Sequence, residues 1–220
     1  MKSEFIPITI VDDFFKNPDE IRKIALSADY GIKASNPGLR SDQLQLLNPN
    51  LYSLIAKKIF SLFLNLKKDV VEYHIDMSFQ YTTKDFDYGW IHFDSSAYCA
   101  GVVYLTPNPP TNTGTIIYDQ INSLQDYSDL QEIKNNFYKN RIKHQDYDKA
   151  REKNNANFKK NIVIENVYNR ALIYPSNYAH AENCFFGETK ENARLTLVFF
   201  LKTVAASSLF PVDRANKIDV

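Results

Sequence analysis

Three short stretches hold the residues whose types and spacing could do chemistry: His92-Phe93-Asp94, Tyr178-Ala179-His180 and Arg194-Leu195-Thr196. Two histidines and a carboxylate can occupy one face of a metal ion and leave its other positions open. That donor set suits non-haem Fe(II) and oxygen chemistry. An arginine beyond the second histidine is what the far end of a dicarboxylate co-substrate needs, because the guanidinium fork matches a carboxylate. Thr196 shares a strand face with Arg194 and adds a hydroxyl to that seat. Arg194 also opens an apolar, strand-like run, and a charge buried there requires an anionic partner. The partner is either a ligand or a protein acid such as Glu188 or Glu191.

A second triplet, His74-Ile75-Asp76, competes for the role of ligand pair. On a strand, residues i and i+2 point to one side, so either triplet could present both groups to one ion. His74-Ile75-Asp76 sits inside a continuous β-like run with no turn to open a cavity. His92-Phe93-Asp94 ends a strand just before Ser95-Ser96, where a mouth can form. The expectation is therefore His92 with Asp94, and His74 as a half-buried strand histidine bonded to Asp76. His180 follows a strand and the turn Pro175-Ser176-Asn177, which places it at a rim. His144 falls in a charged segment and reads as solvated.

The elements that must position these groups follow from periodicity and turn chemistry. Residues 5–11 read as a strand. A helix starts near Asn17-Pro18-Asp19-Glu20, with an apolar stripe at Ile21, Ile24, Ala25 and Ala28. Residues 29–43 read as a loop and 44–66 as a helix. Strands are expected at 70–81, 90–94, 99–105, 115–118, 163–168, 171–174 and 194–202. Helices followed by many short strands predict a β core buttressed by N-terminal helices. Residues 120–161 interrupt the strands, are rich in lysine and asparagine, and read as two helical pieces. They form either a solvated insertion or a lid or docking surface for an acidic partner.

Composition bounds the function. A chain of 220 residues can bury one full core. The expected division is 1–69 as helical support, 70–119 and 162–204 as core, 120–161 as insertion and 205–220 as tail. The 26 basic residues balance 26 acidic ones, so no overall charge draws the protein to nucleic acid or an anionic membrane. Cys99 and Cys184 supply neither a disulfide framework nor a zinc spacing and read as reduced thiols of a cytoplasmic protein. The N-terminal apolar run is too short for a secretion signal, and no run reaches the ~18 apolar residues of a membrane helix.

In their order along the chain these residues resemble the Fe(II)/2-oxoglutarate-dependent dioxygenase superfamily, and most closely its prolyl-4-hydroxylase branch. The resemblance runs through Ile10-Val11-Asp12-Asp13-Phe14-Phe15, Gln80-Tyr81, Trp90–Asp94, Val102–Thr106, Thr113–Ile116, Arg170–Pro175, His180 and Arg194–Leu197. It covers most of the chain outside 120–161. It implies a double-stranded β-helix (jelly-roll) core. It implies Fe(II) held by His92, Asp94 and His180, with 2-oxoglutarate and O2 as co-substrates. Arg194 would hold the far carboxylate of 2-oxoglutarate with help from Tyr104, and Tyr81, Ile116 and Thr196 would line the pocket. The implied reaction hydroxylates a C–H bond of a prolyl or other protein side chain, or of a small molecule, and releases succinate and CO2. The interval from His180 to Arg194 is longer than is common in the family. The nucleic-acid demethylating branch usually has a second arginine six residues past the anchor, where this chain has Phe200. A cupin-like metal-binding module would share the fold without needing Arg194 and Tyr104 to converge on an anion.

Overall fold

The structure, a computed structural model, describes residues 6–32, 36–67, 70–94, 96–123, 127–140 and 145–206. His144 and residues 207–220 of the expected tail lie outside the described residues. The expected β core with N-terminal helical support is present, as two antiparallel sheets packed face to face.

The larger sheet has seven strands in the order β1-β8-β5-β10-β4-β3-β2. These are β1 (Thr9–Val11), β2 (Tyr30–Ile32), β3 (Leu39–Ser41), β4 (Val71–Thr82), β5 (Cys99–Tyr104), β8 (Ala171–Pro175) and β10 (Arg194–Ala206). The smaller sheet joins β6 (Thr115–Gln120) between β7 (Phe158–Ile164) and β9 (Ala179–Glu182).

Alternation along β4 and β10 divides the molecule. The two strands pair with Phe79 opposite Leu197 and Gln80 opposite Thr196. Their odd-numbered residues Ile75, Met77, Phe79, Leu195, Leu197, Phe199 and Leu201 face the helices and are buried there. Their even-numbered residues face the smaller sheet. There Ala100, Val102, Tyr104, Leu172, Tyr174 and Val198 of the large sheet meet Ile117 and Ile164.

Three helices back the large sheet. In α1 (Pro18–Ser27), Pro18 begins the helix where its missing N–H costs nothing, and Asp19 and Glu20 face the positive end of the dipole. Its Ile21 and Ala25 pack on the sheet. The helix expected over 44–66 is broken in two. The short α2 (Leu44–Leu47) stops before Asn48-Pro49, and α3 (Pro49–Ser61) starts anew. The proline ring drives the residue before it out of helical geometry. Asn48 instead caps α3, its Oδ1 accepting from the Leu51 N–H at 3.0 Å. Ile55, Ala56, Ile59 and Phe60 form the buried face of α3.

Three further expectations are corrected. Residues 29–43 contain β2 and β3, whose three-residue lengths are too short for alternation to show. Residues 90–94 form no strand, only a bridge between His92 and His180. His180 lies on β9 and is 5% exposed, not at an open rim.

The insertion holds α4 (Tyr127–Asn140) and α5 (Tyr147–Asn155), after which the chain enters β7 at Phe158. It is not a solvated appendage. Leu130, Phe137, Tyr138, Tyr147 and Ala150 pack with Phe86, Trp90 and Phe185 in a separate aromatic cluster. The high lysine content conceals this face, because one apolar stripe on each helix suffices to dock it.

Candidate metal centre

His92 and His180 are brought together by backbone pairing. The His92 N–H donates to the His180 carbonyl at 3.1 Å, and the His180 N–H donates to the His92 carbonyl at 3.0 Å. The two imidazole rings lie 4.4 Å apart. Asp94 follows His92 on the same side, its amide tied to the Ser176 carbonyl at 3.1 Å. One potential ligand atom from each of the three residues falls within 4.8 Å of the others. The rival pair behaves differently: His74 Nε2 contacts Asp76 Oδ1 at 2.9 Å, with the histidine side chain 58% exposed.

The donor set fits a metal. His92 Nδ1 donates to the Trp90 carbonyl at 2.7 Å, and His180 Nδ1 to the Tyr178 carbonyl at 3.0 Å. Each ring therefore turns the lone pair of its Nε2 toward Asp94. His180 Nε2 lies 3.3 Å from Asp94 Oδ2, and His92 Nε2 lies 3.8 Å from Asp94 Oδ1. Asp94 Oδ2 is buried and accepts no hydrogen bond among the described residues. Three electron-pair donors facing one another, with a buried carboxylate oxygen unused, call for a cation between them.

Electrostatics agree. Burial, with repulsion from Lys134 and His180, pushes the His92 pKa down to about 4. Burial alone would raise Asp94, but the charges of His180, His92 and Arg40 more than offset it and hold the carboxyl well below its usual range. Burial likewise opposes protonation of His180, yet the Asp94 charge raises its pKa.

The triad lines a cavity of about 350 Å³ between the two sheets. Its wall carries four basic side chains, Arg40, Lys134, Arg194 and Lys202, and three carboxylates, Asp76, Asp94 and Glu182. Arg194 opens β10 and is 2% exposed. Its Nε donates to the Thr113 carbonyl and its Nη2 to Thr115 Oγ1, both at a long 3.4 Å. It forms no ion pair among the described residues. Glu188 pairs with Lys84 instead, and the exposed Glu191 carboxylate is bonded to Thr189. Neither proposed acid neutralises Arg194. Its guanidinium stands 5.4 Å from the Tyr104 ring centroid.

Tyr104 is fully buried and its hydroxyl donates to Thr115 Oγ1 at 2.8 Å, while burial raises its pKa. Thr196 lies on the inner face of β10, but its hydroxyl turns to the Gln80 carbonyl at 3.4 Å. Tyr81 is not in the cavity. It is odd-numbered on β4, so it packs against the helical layer and meets Tyr30 edge-on at 4.9 Å. Its neighbour Gln80 takes the inward position. Ile116 is likewise displaced from the lining by alternation, since Thr115 faces the cavity and Ile117 the inner core.

Several lining residues escape sequence reasoning. Arg40 sits in what reads as a loop, and Lys134 in what reads as a solvated helix. Glu182 had a signal: it is two residues past His180 and so shares its strand face.

A family model described as "Family of unknown function (DUF6445)" matches residues 1–201. The chain belongs to DUF6445. No curated protein matches this DUF6445 chain. Among solved structures it is similar to HygX from Streptomyces hygroscopicus with nickel and 2-oxoglutarate bound, at 11% identity and TM-score 0.54, covering 89% of this chain and 82% of that one. The same protein with hygromycin B also bound matches at 12% identity and TM-score 0.54, with coverages of 89% and 82%. A prolyl hydroxylase from Trichoplax adhaerens, in complex with a hypoxia inducible factor peptide fragment, matches at 10% identity and TM-score 0.51, with coverages of 88% and 82%. At these identities the likeness establishes the fold. The DUF6445 chain has the jelly-roll architecture of these proteins.

Proposed function

We propose that this DUF6445 protein is an Fe(II)- and 2-oxoglutarate-dependent oxygenase that hydroxylates a C–H bond of its substrate. The observation that carries the reading is the convergence of His92, Asp94 and His180 on one point, with an unneutralised buried arginine in the same cavity. His92, Asp94 and His180 would hold the metal through Nε2, a carboxylate oxygen and Nε2. Arg194 would take the far carboxylate of 2-oxoglutarate, with Thr115 as the neighbouring hydroxyl. The similar structures with 2-oxoglutarate bound support the co-substrate.

When bound, the iron supplies the oxygen chemistry by which 2-oxoglutarate, O2 and R–H become succinate, CO2 and R–OH. The chain's own residues do the rest. The carbonyls of Trp90 and Tyr178 fix both imidazole tautomers and orientations. Tyr104 stacks near Arg194 and keeps Thr115 oriented through its hydroxyl. The packed insertion forms the wall of the cavity beside Trp90, through Lys134 and Tyr138.

Succinate formation from 2-oxoglutarate, with Fe(II) present and with Fe(II) chelated, tests the reading. Iron-dependent succinate is expected, and Asp94→Ala should reduce it to background while the circular dichroism spectrum stays native. Full turnover in Asp94→Ala would sink the assignment. Iron binding without succinate would favour a metal-binding module of the same fold.

A further inference from the structure

Two of the cavity's cations have no partner in the scheme above. Lys134 reaches in from α4, is 6% exposed, and makes no hydrogen bond or ion pair among the described residues. Its ammonium stands 5.8 Å from the Tyr138 ring centroid. Arg40 reaches in from β3 on the large sheet. Its Nε donates to Gln80 Oε1 at 2.9 Å and its guanidinium lies over Phe200, 5.1 Å from the centroid. Its two terminal nitrogens donate to no protein group among the described residues. Lys202, by contrast, bonds Ser96 Oγ at 2.8 Å and lies 3.7 Å from Asp76 Oδ2.

An ammonium withdrawn from water with no counter-ion is costly, and a protein retains one where a ligand supplies the missing charge. The carboxylates of the wall do not supply it. Asp94 faces the histidines, Asp76 is engaged by His74 and Lys202, and neither Asp94 nor Glu182 comes within ion-pair distance of Lys134 or Arg40. A bound dication and the 2-oxoglutarate dianion would cancel each other, leaving four basic groups against three acids in the wall. Trp90 adds a donor with no acceptor: its buried Nε1–H is unbonded, and the residue lines the same cavity.

We infer that the primary substrate is a small carboxylic acid, its negative charge taken by Lys134 and Arg40. The inference rests on the oxygenase reading, since it assigns Arg194 to the co-substrate. The planar end of Arg40, with Nε already engaged by Gln80, presents the two parallel N–H donors of its terminal nitrogens, the pattern that binds a carboxylate end-on. A cavity of about 350 Å³ that also receives 2-oxoglutarate is at the small end for organic ligands, roughly 300–1,000 Å³, and favours a compact molecule. The insertion acquires a role through Lys134: it supplies part of the specificity of the site it walls.

The test is calorimetric titration of protein loaded with Ni(II) and 2-oxoglutarate, which cannot turn over. The probes are small amino and hydroxy acids, their primary amides, and phosphate esters of similar size. Acids should bind at least about tenfold more tightly than the matching amides. Lys134→Met and Arg40→Gln should each weaken acid binding about tenfold or more, leave amide binding where it was, and so erase the discrimination. Lys134→Arg, which keeps the charge, should retain most of it and guards against a folding defect. Equal binding of acids and amides, tighter binding of phosphate esters, or no acid binding at all would overturn the inference. Failure of the wild-type protein to bind Ni(II) and 2-oxoglutarate would instead overturn the oxygenase reading beneath it.

Discussion

At the scale of single residues, charge and burial decide what each group can do. Arg194 is buried, and its hydrogen bonds to Thr113 and Thr115 are long and run to neutral oxygens. A carboxylate there gains charge-assisted bonds of about 1.5–3 kcal/mol. Arg194→Ala should therefore raise the 2-oxoglutarate concentration for half-saturation by roughly ten- to a hundredfold, measured in succinate assays. Lys134 allows a test without any ligand. Burial pushes its pKa from 10.5 down to about 8. Below pH 8 both folded and unfolded chains hold the proton, and the fold bears the cost of the buried charge. Between about 8 and 10.5 the unfolded chain binds a proton that the folded one does not, so stability rises with pH across that window. Wild type should gain on the order of 3 kcal/mol relative to Lys134→Met over this range, read from urea melts at successive pH values.

At the scale of elements, α5 holds the segment that delivers His92. Arg151 is buried and donates to the Phe86 and Tyr88 carbonyls at 3.2 and 3.0 Å, while its other arm meets Asp87 and Asp148 at 3.1 Å each. Asn154 donates to the Ile91 carbonyl at 2.9 Å, and Asn155 accepts from the Ile91 N–H at 3.0 Å. These bonds replace the strand pairing that residues 86–91 lack. Arg151→Met should remove the bonds to the Phe86 and Tyr88 carbonyls and to Asp87, and lower stability by roughly 2–4 kcal/mol. Hydrogen exchange should quicken at residues 86–92 before it does in β4 or β10, and metal affinity should fall with it. Unchanged exchange there would mean that α5 merely covers the cavity.

At the scale of the whole molecule, the candidate metal centre joins distant parts of the chain, with His92 and His180 bridging the β4–β5 connection to the small sheet. A metal that binds only the assembled site stabilises the entire fold by mass action. Ni(II) or Fe(II) at a hundredfold over its dissociation constant should add about 2.7 kcal/mol, seen as a higher melting temperature that chelator reverses. The gain should shrink as pH falls through the titration of His180. Its pKa is raised, so its proton competes with the metal, while His92, near 4, stays neutral. Among the described residues, no helix is long and apolar enough to cross a membrane.

The residues by themselves determined the donor types and much of the architecture. The order of His92, Asp94, His180 and Arg194 suggests a metal-and-anion site, and the strand-rich second half predicts a β core backed by helices; the jelly-roll itself entered only with the family resemblance. Those signals are local: residue chemistry and period-two alternation need no partner to be read. Tertiary structure decided which even-numbered residues of β4 and β10 face the cavity, and so removed Tyr81 and admitted Gln80. It decided that Arg194 forms no ion pair among the described residues, and that Arg40 and Lys134, far apart in sequence, enter one cavity. Charge pairing and burial depend on what the fold brings near from elsewhere in the chain, and no local pattern carries that information.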